Sequence, residues 1–322
     1  MRSSQFLVLP FRSRIQQAME KNTYTIIGAS GHTGHVVALQ LLQQGQNVRV
    51  IGRSADRLQP LVQRGAEPFV ADAADSAALA RAFTGVRGVY AMMPPDWSVP
   101  NFRTYQDRIS DAIGSALEQA RVSHVVALSS FGADKESGTG PVAGLHYLEQ
   151  RINRVPGIKA WHIRAGYFME NTLPQAQVIN QFGMMGGPLR PDLKLPMIAT
   201  RDIGAFAGNK LLKLDFSGQQ AHELAGQGDL NYAELAVIIG KAISKPDLKY
   251  SQLPDEQIRG FFIQMGASPN FADLMLEMSA ALNSGHMRGL EQRSPANTTP
   301  TSFEQFVQEA FVPAYQGISK AA

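Results

Sequence analysis

Thr25-Ile26-Ile27-Gly28-Ala29-Ser30-Gly31-His32-Thr33-Gly34, running on into His35-Val36-Val37-Ala38-Leu39-Gln40-Leu41-Leu42, is the stretch that decides the fold. An apolar β-branched run breaks into three glycines spaced three apart, and the period then becomes that of a helix. The pattern predicts strand, tight turn, helix. In such a turn Gly28 supplies a backbone angle that a Cβ disfavours, Gly31 lets the main chain approach a pyrophosphate, and Gly34 lets the helix lie close on the strand. Unpaired N–H groups at the helix N-terminus face the phosphates, where the macrodipole favours negative charge. Ser30, His32 and Thr33, which fill the turn, join the glycines as cofactor-binding candidates.

The spacing is Gly-x-x-Gly-x-x-Gly, not the Gly-x-Gly-x-x-Gly of standard dinucleotide folds, and glycine-rich turns alone are weak evidence. Context strengthens them. Gly45 sits where the helix should stop, and Asn47-Val48-Arg49-Val50-Ile51 reads as the second strand of a βαβ unit.

Arg53 follows that strand at the place where NAD-preferring folds carry an acid for the ribose 2′-hydroxyl. A cation there suits a 2′-phosphate, and Arg57, one turn into the next helix, offers a second fork of donors. The expected cofactor is therefore NADP(H). Asp72 ends the third strand, where its carboxylate can accept from an adenine amino group or cap the helix that begins near Ala77. Gly88 to Met93 forms the fourth strand, stopped by Pro94-Pro95. Met92 and Met93 are candidates to line the cofactor's ribose or to serve as plain packing.

A long helix is expected from about Phe102 to Ala120, a fifth strand over His124–Leu128, and a helix opening at His146. Trp161–Ala165 is the sixth strand. This alternation predicts an α/β chain with a Rossmann-type doubly wound parallel sheet. Beyond Asn171 the sequence turns loop-rich. A helix from Asp202 to Leu212, a short strand at His222–Ala225 and helical character over 255–287 read as a smaller, mostly helical C-terminal substrate lobe. The expected division is a leader or tail over 1–18, a cofactor-binding domain over 19–171, and a lobe over 172–322 with some segments packing back on the first domain.

Composition narrows the function. A chain of 322 residues with 44% hydrophobic content can build a full core, and with no cysteine it has no disulfide, thiol nucleophile or Cys-based zinc site. No metal site is expected. No apolar run approaches the roughly 18 residues of a membrane span, which points to a cytoplasmic protein without a membrane partner. The net charge of +3 is matched by Arg2, Arg12 and Arg14 in a leader without acids, leaving the remainder formally neutral. No nucleic-acid footprint is expected. An Arg- and Ser-containing leader without acids could be a targeting peptide, but its apolar run Phe6–Leu9 is too short for a signal peptide, so 1–18 is expected to be an upstream extension or loose tail, with Met19 the expected start.

Taken together, the glycine turn, Arg53, Ser129-Ser130-Phe131-Gly132, His146-x-x-Glu149, the run Arg164-Ala165-Gly166-Tyr167-Phe168-Met169-Glu170-Asn171 and the closing Pro300–Phe306 segment resemble the NmrA-like atypical short-chain dehydrogenases. The resemblance covers most of residues 22–311. It implies a Rossmann fold, NADP(H) at the glycine turn and Ser129, and either a flavin-free NAD(P)H:quinone reductase or related reductase, or a redox-sensing regulator that binds the cofactor without turning it over.

One departure bears on mechanism. Short-chain dehydrogenases pair Ser with Tyr-x-x-x-Lys, the lysine lowering the tyrosine pKa. Here Tyr147 is followed by Arg151, which stays charged and has a different geometry, and no lysine lies in 136–158. His146 is then the proton-donor candidate or a capping and packing residue, with Tyr147 and Ser130 next. Glu149, Glu170 and Asn171 are read as fixing the active-site loop. The expected substrate is a planar or apolar small molecule, met in a lobe containing Phe261 and Phe262, and the protein is expected to be a monomer or homodimer.

Overall fold

The computed structural model describes residues 23–321, so the expectation for a leader over 1–18 lies outside the described residues. Strand and helix alternate through β1 (Thr23–Ile27), α1 (His32–Gln43), β2 (Asn47–Gly52), α2 (Ala55–Val62), β3 (Glu67–Val70), α3 (Ser76–Phe83), β4 (Gly88–Ala91), α4 (Phe102–Gln119), β5 (His124–Ser130), α5 (Val142–Asn153) and β6 (Lys159–Ala165). There follow β7 (Tyr167–Phe168), α6 (Gln175–Phe182), β8 (Met185–Gly187), β9 (Leu195–Ile198), α7 (Thr200–Lys213), β10 (Gln219–Leu224), β11 (Asp229–Leu230), α8 (Tyr232–Ala242) and β12 (Tyr250–Gln252). The helices α9 (Asp255–Gln264), α10 (Pro269–Ser284), α11 (Phe303–Phe306) and α12 (Val312–Ala321) complete the described chain.

The main sheet runs β10-β6-β5-β4-β1-β2-β3 among the described residues, every neighbouring pair parallel. Strand order reverses between β1 and β4, and in open α/β sheets ligands bind in the crevice outside the strand ends at such a switch point. Successive side chains alternate between two cores. Ile26, Val50 and Val126 pack under Val37, Leu41, Ile203 and Leu211 on one face. Ile27, Ile51 and Val125 pack under Leu79, Ile109 and Ile152 on the other. The remainder forms two small sheets, β11-β9-β7 and β12-β8, around a third core that includes Met185, Met197, Leu235 and Phe311.

The short strand expected in the lobe belongs instead to the main sheet. β10 lies parallel to β6 with Gln219 opposite Ala160 and Leu224 opposite Ala165. The crossover that takes it there is α7, which lies on α1 because two glycines permit the approach. A Cβ on Gly204 would stand 2.6 Å from the Val36 Cβ, and one on Gly208 would stand 2.3 Å from Gln40 Oε1.

Several features of the helices have local causes. α3 is capped by Asp75, whose Oδ1 accepts the Ala78 N–H at 2.9 Å, and not by Asp72. α5 begins at Val142, after Pro141 and without a side-chain cap, so His146 lies in its second turn. The stretch 255–287 is two helices, broken where Gly266 takes φ +89 and where Ser268, preceding Pro269, accepts the Phe271 N–H at 3.1 Å.

Candidate cofactor and acceptor site

Gly28 ends β1 with φ +68, and the Gly31 N–H donates to its carbonyl at 2.9 Å. A Cβ on Gly34 would lie 2.5 Å from Gly28 O and 3.1 Å from Ala29 Cα, so the first turn of α1 rests on main chain. No side chain caps α1, and its first turn contains no acid. The unfilled donors of this helix end are therefore left for an anion at the β1/β4 switch point. Ser30, Gly31 and His32 are exposed on the turn. Thr33 is not: it is 5% exposed and its Oγ1 accepts the Tyr90 O–H at 2.9 Å. Its hydroxyl belongs to the core, and only its main chain is free to serve a phosphate. Burial pushes the Tyr90 phenol above its ordinary range.

At the ends of β2, β3 and β4 the structure gathers Arg53, Asp72 and Asp96 around Tyr105, whose O–H donates to the Pro94 carbonyl at 2.8 Å. Burial raises the Tyr105 phenol, with smaller contributions from those three charges. Arg53 is 56% exposed, and its Nη1 stands 3.7 Å from Asp96 Oδ2. The Ser98 hydroxyl, donating to Asp96, chiefly holds that carboxyl below its usual range, with Arg53 a lesser cause. Arg57 is exposed in the first turn of α2. Asp72 is exposed and accepts the Ala74 N–H at 2.8 Å, closing a turn.

Met93 and Ser129 both lie in the core. Met93 is 8% exposed in the core with Ile27, Ile51 and Ala91, because the two-residue alternation of β4 runs on past its end. Met92 is the methionine on the turn, its Sδ 2.4 Å from where a Gly28 Cβ would stand. Ser129 is buried, and its Oγ donates to Glu149 Oε1 at 2.6 Å. Glu149, also buried, receives Arg164 Nε at 3.0 Å and Nη2 at 2.7 Å, which raises the arginine further above its ordinary value. The Ser129 hydroxyl is thus committed to a structural network linking β5, α5 and β6.

Tyr147 donates its O–H to Asp111 at 2.9 Å, and that bond chiefly raises its phenol. The Arg103 guanidinium lies 5.6 Å from its ring. Arg151 packs on Gly114, with Nη2 donating to Ser115 Oγ at 3.0 Å. Both side chains engage α4, so neither forms the activated tyrosine of the dehydrogenases. His146 is half-buried with Nδ1 2.9 Å from the Ala133 carbonyl. A carbonyl only accepts, so Nδ1 carries a hydrogen and the neutral ring has a bare Nε2. Nε2 can donate a proton only from the imidazolium. Glu170 caps α7, accepting the Thr200 N–H at 3.0 Å and its hydroxyl at 2.6 Å.

The walls come from contacts between residues far apart in the sequence. The Ser268 N–H donates to the Trp97 carbonyl at 2.8 Å, Asn270 Oδ1 accepts the Phe102 N–H at 2.8 Å, and Phe271 stacks on Trp97. Glu277 accepts the Gly140 N–H at 3.2 Å. α10 thereby brackets the loops that leave β4 and β5. Phe262 joins the Phe102–Phe271 cluster, whereas Phe261 is 40% exposed. A cavity of about 280 Å³ opens at the ends of β5, β6 and β10, bounded by Phe131, Arg164, Pro196, Met287 and Arg288. Arg164 and Glu149 carried a sequence signal only as members of the resembling motifs. Among the described residues no helix is long and apolar enough to cross a membrane.

Residues 20–306 match the NmrA-like family. Among solved structures, the NADPH-dependent quinone oxidoreductase of Escherichia coli, complexed with NADPH, is 21% identical with a TM-score of 0.70, over 89% of this chain and 99% of that one. The Citrobacter sp. triphenylmethane reductase complexed with NADP(H) is 16% identical with a TM-score of 0.71, over 93% and 100%. NmrA, a negative transcriptional regulator in complex with NAD, is 16% identical with a TM-score of 0.63, over 93% and 98%. No curated protein matches the chain.

Proposed function

The chain belongs to the NmrA-like family, and from that premise we propose that it is an NADPH-dependent oxidoreductase passing hydride to a quinone-like or carbonyl acceptor. The observation that carries this reading is the uncapped N-terminus of α1 lying on the Gly28–Gly34 turn at the β1/β4 switch point, with Arg53 exposed beside it. Main-chain donors of the turn hold the pyrophosphate, and Met92 packs against the turn. Arg53, loosely held by Asp96, would pair with a 2′-phosphate, with Arg57 as a second donor, and Asp72 would accept from the adenine amino group. The cofactor supplies hydride, and the chain supplies placement and a dry pocket. Residues 19–171 carry the cofactor, and most of 172–322 shapes the acceptor pocket. The Ser129–Glu149–Arg164 network holds β5, α5 and β6 in register behind it. His146, held at Nδ1 by Ala133, presents Nε2 as the proton donor when cationic.

A non-catalytic NADP(H) sensor is the second reading, favoured by the engagement of Tyr147 and Arg151 with α4. Mixing the purified protein with NADPH and a panel of quinones separates the two. Loss of reduced-nicotinamide absorbance that scales with protein concentration supports the reductase; tight NADPH binding with no oxidation of any panel member supports the sensor.

A further inference from the structure

We propose that Asp96 is a specificity-determining residue for the coenzyme, a fixed carboxylate beside Arg53 that opposes the 2′-phosphate and so restrains the preference for NADPH over NADH. This rests on the reading above that places the 2′-phosphate at Arg53. In the main sheet β2 and β4 flank β1. Arg53 follows β2 directly and Asp96 lies in the loop that leaves β4, so the two meet across the end of β1, where Gly28 opens the turn. Their closest approach, Arg53 Nη1 to Asp96 Oδ2, is 3.7 Å, an ion pair without a hydrogen bond. With the arginine 56% and the acid 30% exposed the pair is weak, and it leaves the guanidinium donors available to another anion.

Asp96 is not free to withdraw when that anion arrives. Its Oδ1 accepts the Ser98 hydroxyl at 2.7 Å and the Ser98 N–H at 3.2 Å, which fixes the carboxylate in its own turn and leaves Oδ2 toward Arg53. The loop around it is tied down on both sides. Before it, the Pro94 carbonyl accepts the Tyr105 O–H at 2.8 Å. After it, the Trp97 carbonyl accepts the Ser268 N–H at 2.8 Å, and the Trp97 and Phe271 rings stack with centroids 5.6 Å apart. A 2′-phosphate on Arg53 therefore stands beside a carboxylate held in place, and their repulsion persists in the bound state instead of relaxing away. A 2′-hydroxyl carries no charge, so NADH leaves the Arg53–Asp96 pair as it is. The other charges around Arg53 and Tyr105, those of Asp72, Arg57 and Arg108, act equally whichever residue stands at 96. The effect of Asp96 is thus a difference of one charge at fixed geometry: Arg53 supplies the preference for the phosphate, and Asp96 sets how large it is.

The test titrates NADPH, NADH and the half-coenzymes adenosine 2′,5′-bisphosphate and 5′-AMP by calorimetry into the full chain, as the unsubstituted protein, Asp96→Asn and Arg53→Asp, at about pH 7.5, where the 2′-phosphate is mostly dianionic. Asn keeps the oxygen that accepts from Ser98 and removes the charge, and thermal melting checks that the variant is folded. Asp96→Asn should bind NADPH and the bisphosphate about three- to tenfold more tightly than the unsubstituted protein, with NADH and 5′-AMP within about twofold. The gain should shrink between about 50 mM and 500 mM salt, as screening of a charge requires. Unchanged or weaker NADPH binding in a folded Asp96→Asn protein, an equal gain for NADH, or a gain that salt does not diminish overturns the inference. If Arg53→Asp abolishes the NADPH preference while Asp96→Asn leaves it unchanged, the inference falls and the cofactor reading stands. An NADPH affinity indifferent to Arg53→Asp removes the 2′-phosphate from Arg53, and the inference falls together with that reading.

Discussion

Glu149 receives Arg164 at both carboxylate oxygens, Nε at 3.0 Å and Nη2 at 2.7 Å, with the acid side chain 3% and the arginine 18% exposed. Because Ser129 also donates to Glu149, one buried carboxylate joins the ends of β5 and β6 to α5. Glu149→Ala leaves a largely buried guanidinium without its partner and should lower unfolding free energy by about 3–5 kcal/mol. Urea unfolding checks this; a loss below about 1 kcal/mol, the scale of an exposed pair, would show the network to be dispensable.

Gly34→Val places a branched side chain where Gly28 O already stands 2.5 Å from a Cβ position, and main chain cannot step aside as a flexible side chain can. The variant should lose about 1–3 kcal/mol of stability and bind NADPH at least about tenfold more weakly. Thermal melting and calorimetry read the two effects separately. Wild-type NADPH affinity in a folded Gly34→Val protein would remove the turn from the site.

His162 is 1% exposed on β6, with Nε2 2.9 Å from Asn153 Oδ1. Burial lowers its pKa from 6.5 to about 4. The unfolded ring gains a proton as pH falls below 6.5 while the folded ring stays neutral to about 4, so stability is fully present above 6.5 and is lost through that window. Its share of the loss between about pH 7 and pH 4.5 should be roughly 2–3 kcal/mol. His162→Gln should be less sensitive to acid by about that amount in urea unfolding at the two pH values. An unchanged pH dependence in the variant would place the acid sensitivity elsewhere.

For His146, held by the Ala133 carbonyl, the expected effect is on turnover alone. His146→Ala should cut the rate of NADPH oxidation by about 10²-fold or more, the usual scale for a positioned acid, and leave NADPH affinity within about twofold. Steady-state kinetics decides; an unchanged rate in His146→Ala would move the proton to solvent or to another donor.

What was legible in the sequence was local. Gly28, Gly31 and Gly34 encode a turn within seven residues, and the helical period of Val37, Ala38 and Leu41 follows at once. What was not legible depended on residues brought together from afar. Nothing near Ser129 says that its hydroxyl is spent on Glu149, and nothing near His222 says that its strand joins β6 rather than the lobe. The start of α5 has no sequence signal, because Pro141 supplies no side-chain cap. The cap of α3 was uncertain because Asp72 and Asp75 both precede it, and only the position of the Ala78 N–H decides between them. Met92 and Met93 differ only in which face the strand alternation assigns them, and the register with β1 and β5 fixes that.

The most direct test of NADPH at the glycine turn is a side-by-side calorimetric titration with NADPH and NADH, on the unsubstituted protein and on Arg53→Asp. Arg53 is over half exposed and held only at 3.7 Å by Asp96, so it is free to make charge-assisted bonds to a 2′-phosphate. One such interaction, at about 1.5–3 kcal/mol, corresponds to roughly 10- to 150-fold. NADPH should therefore bind at least about tenfold tighter than NADH, with Arg53→Asp erasing or reversing the difference. Equal affinities in the unsubstituted protein, or a preference for NADH, would contradict it.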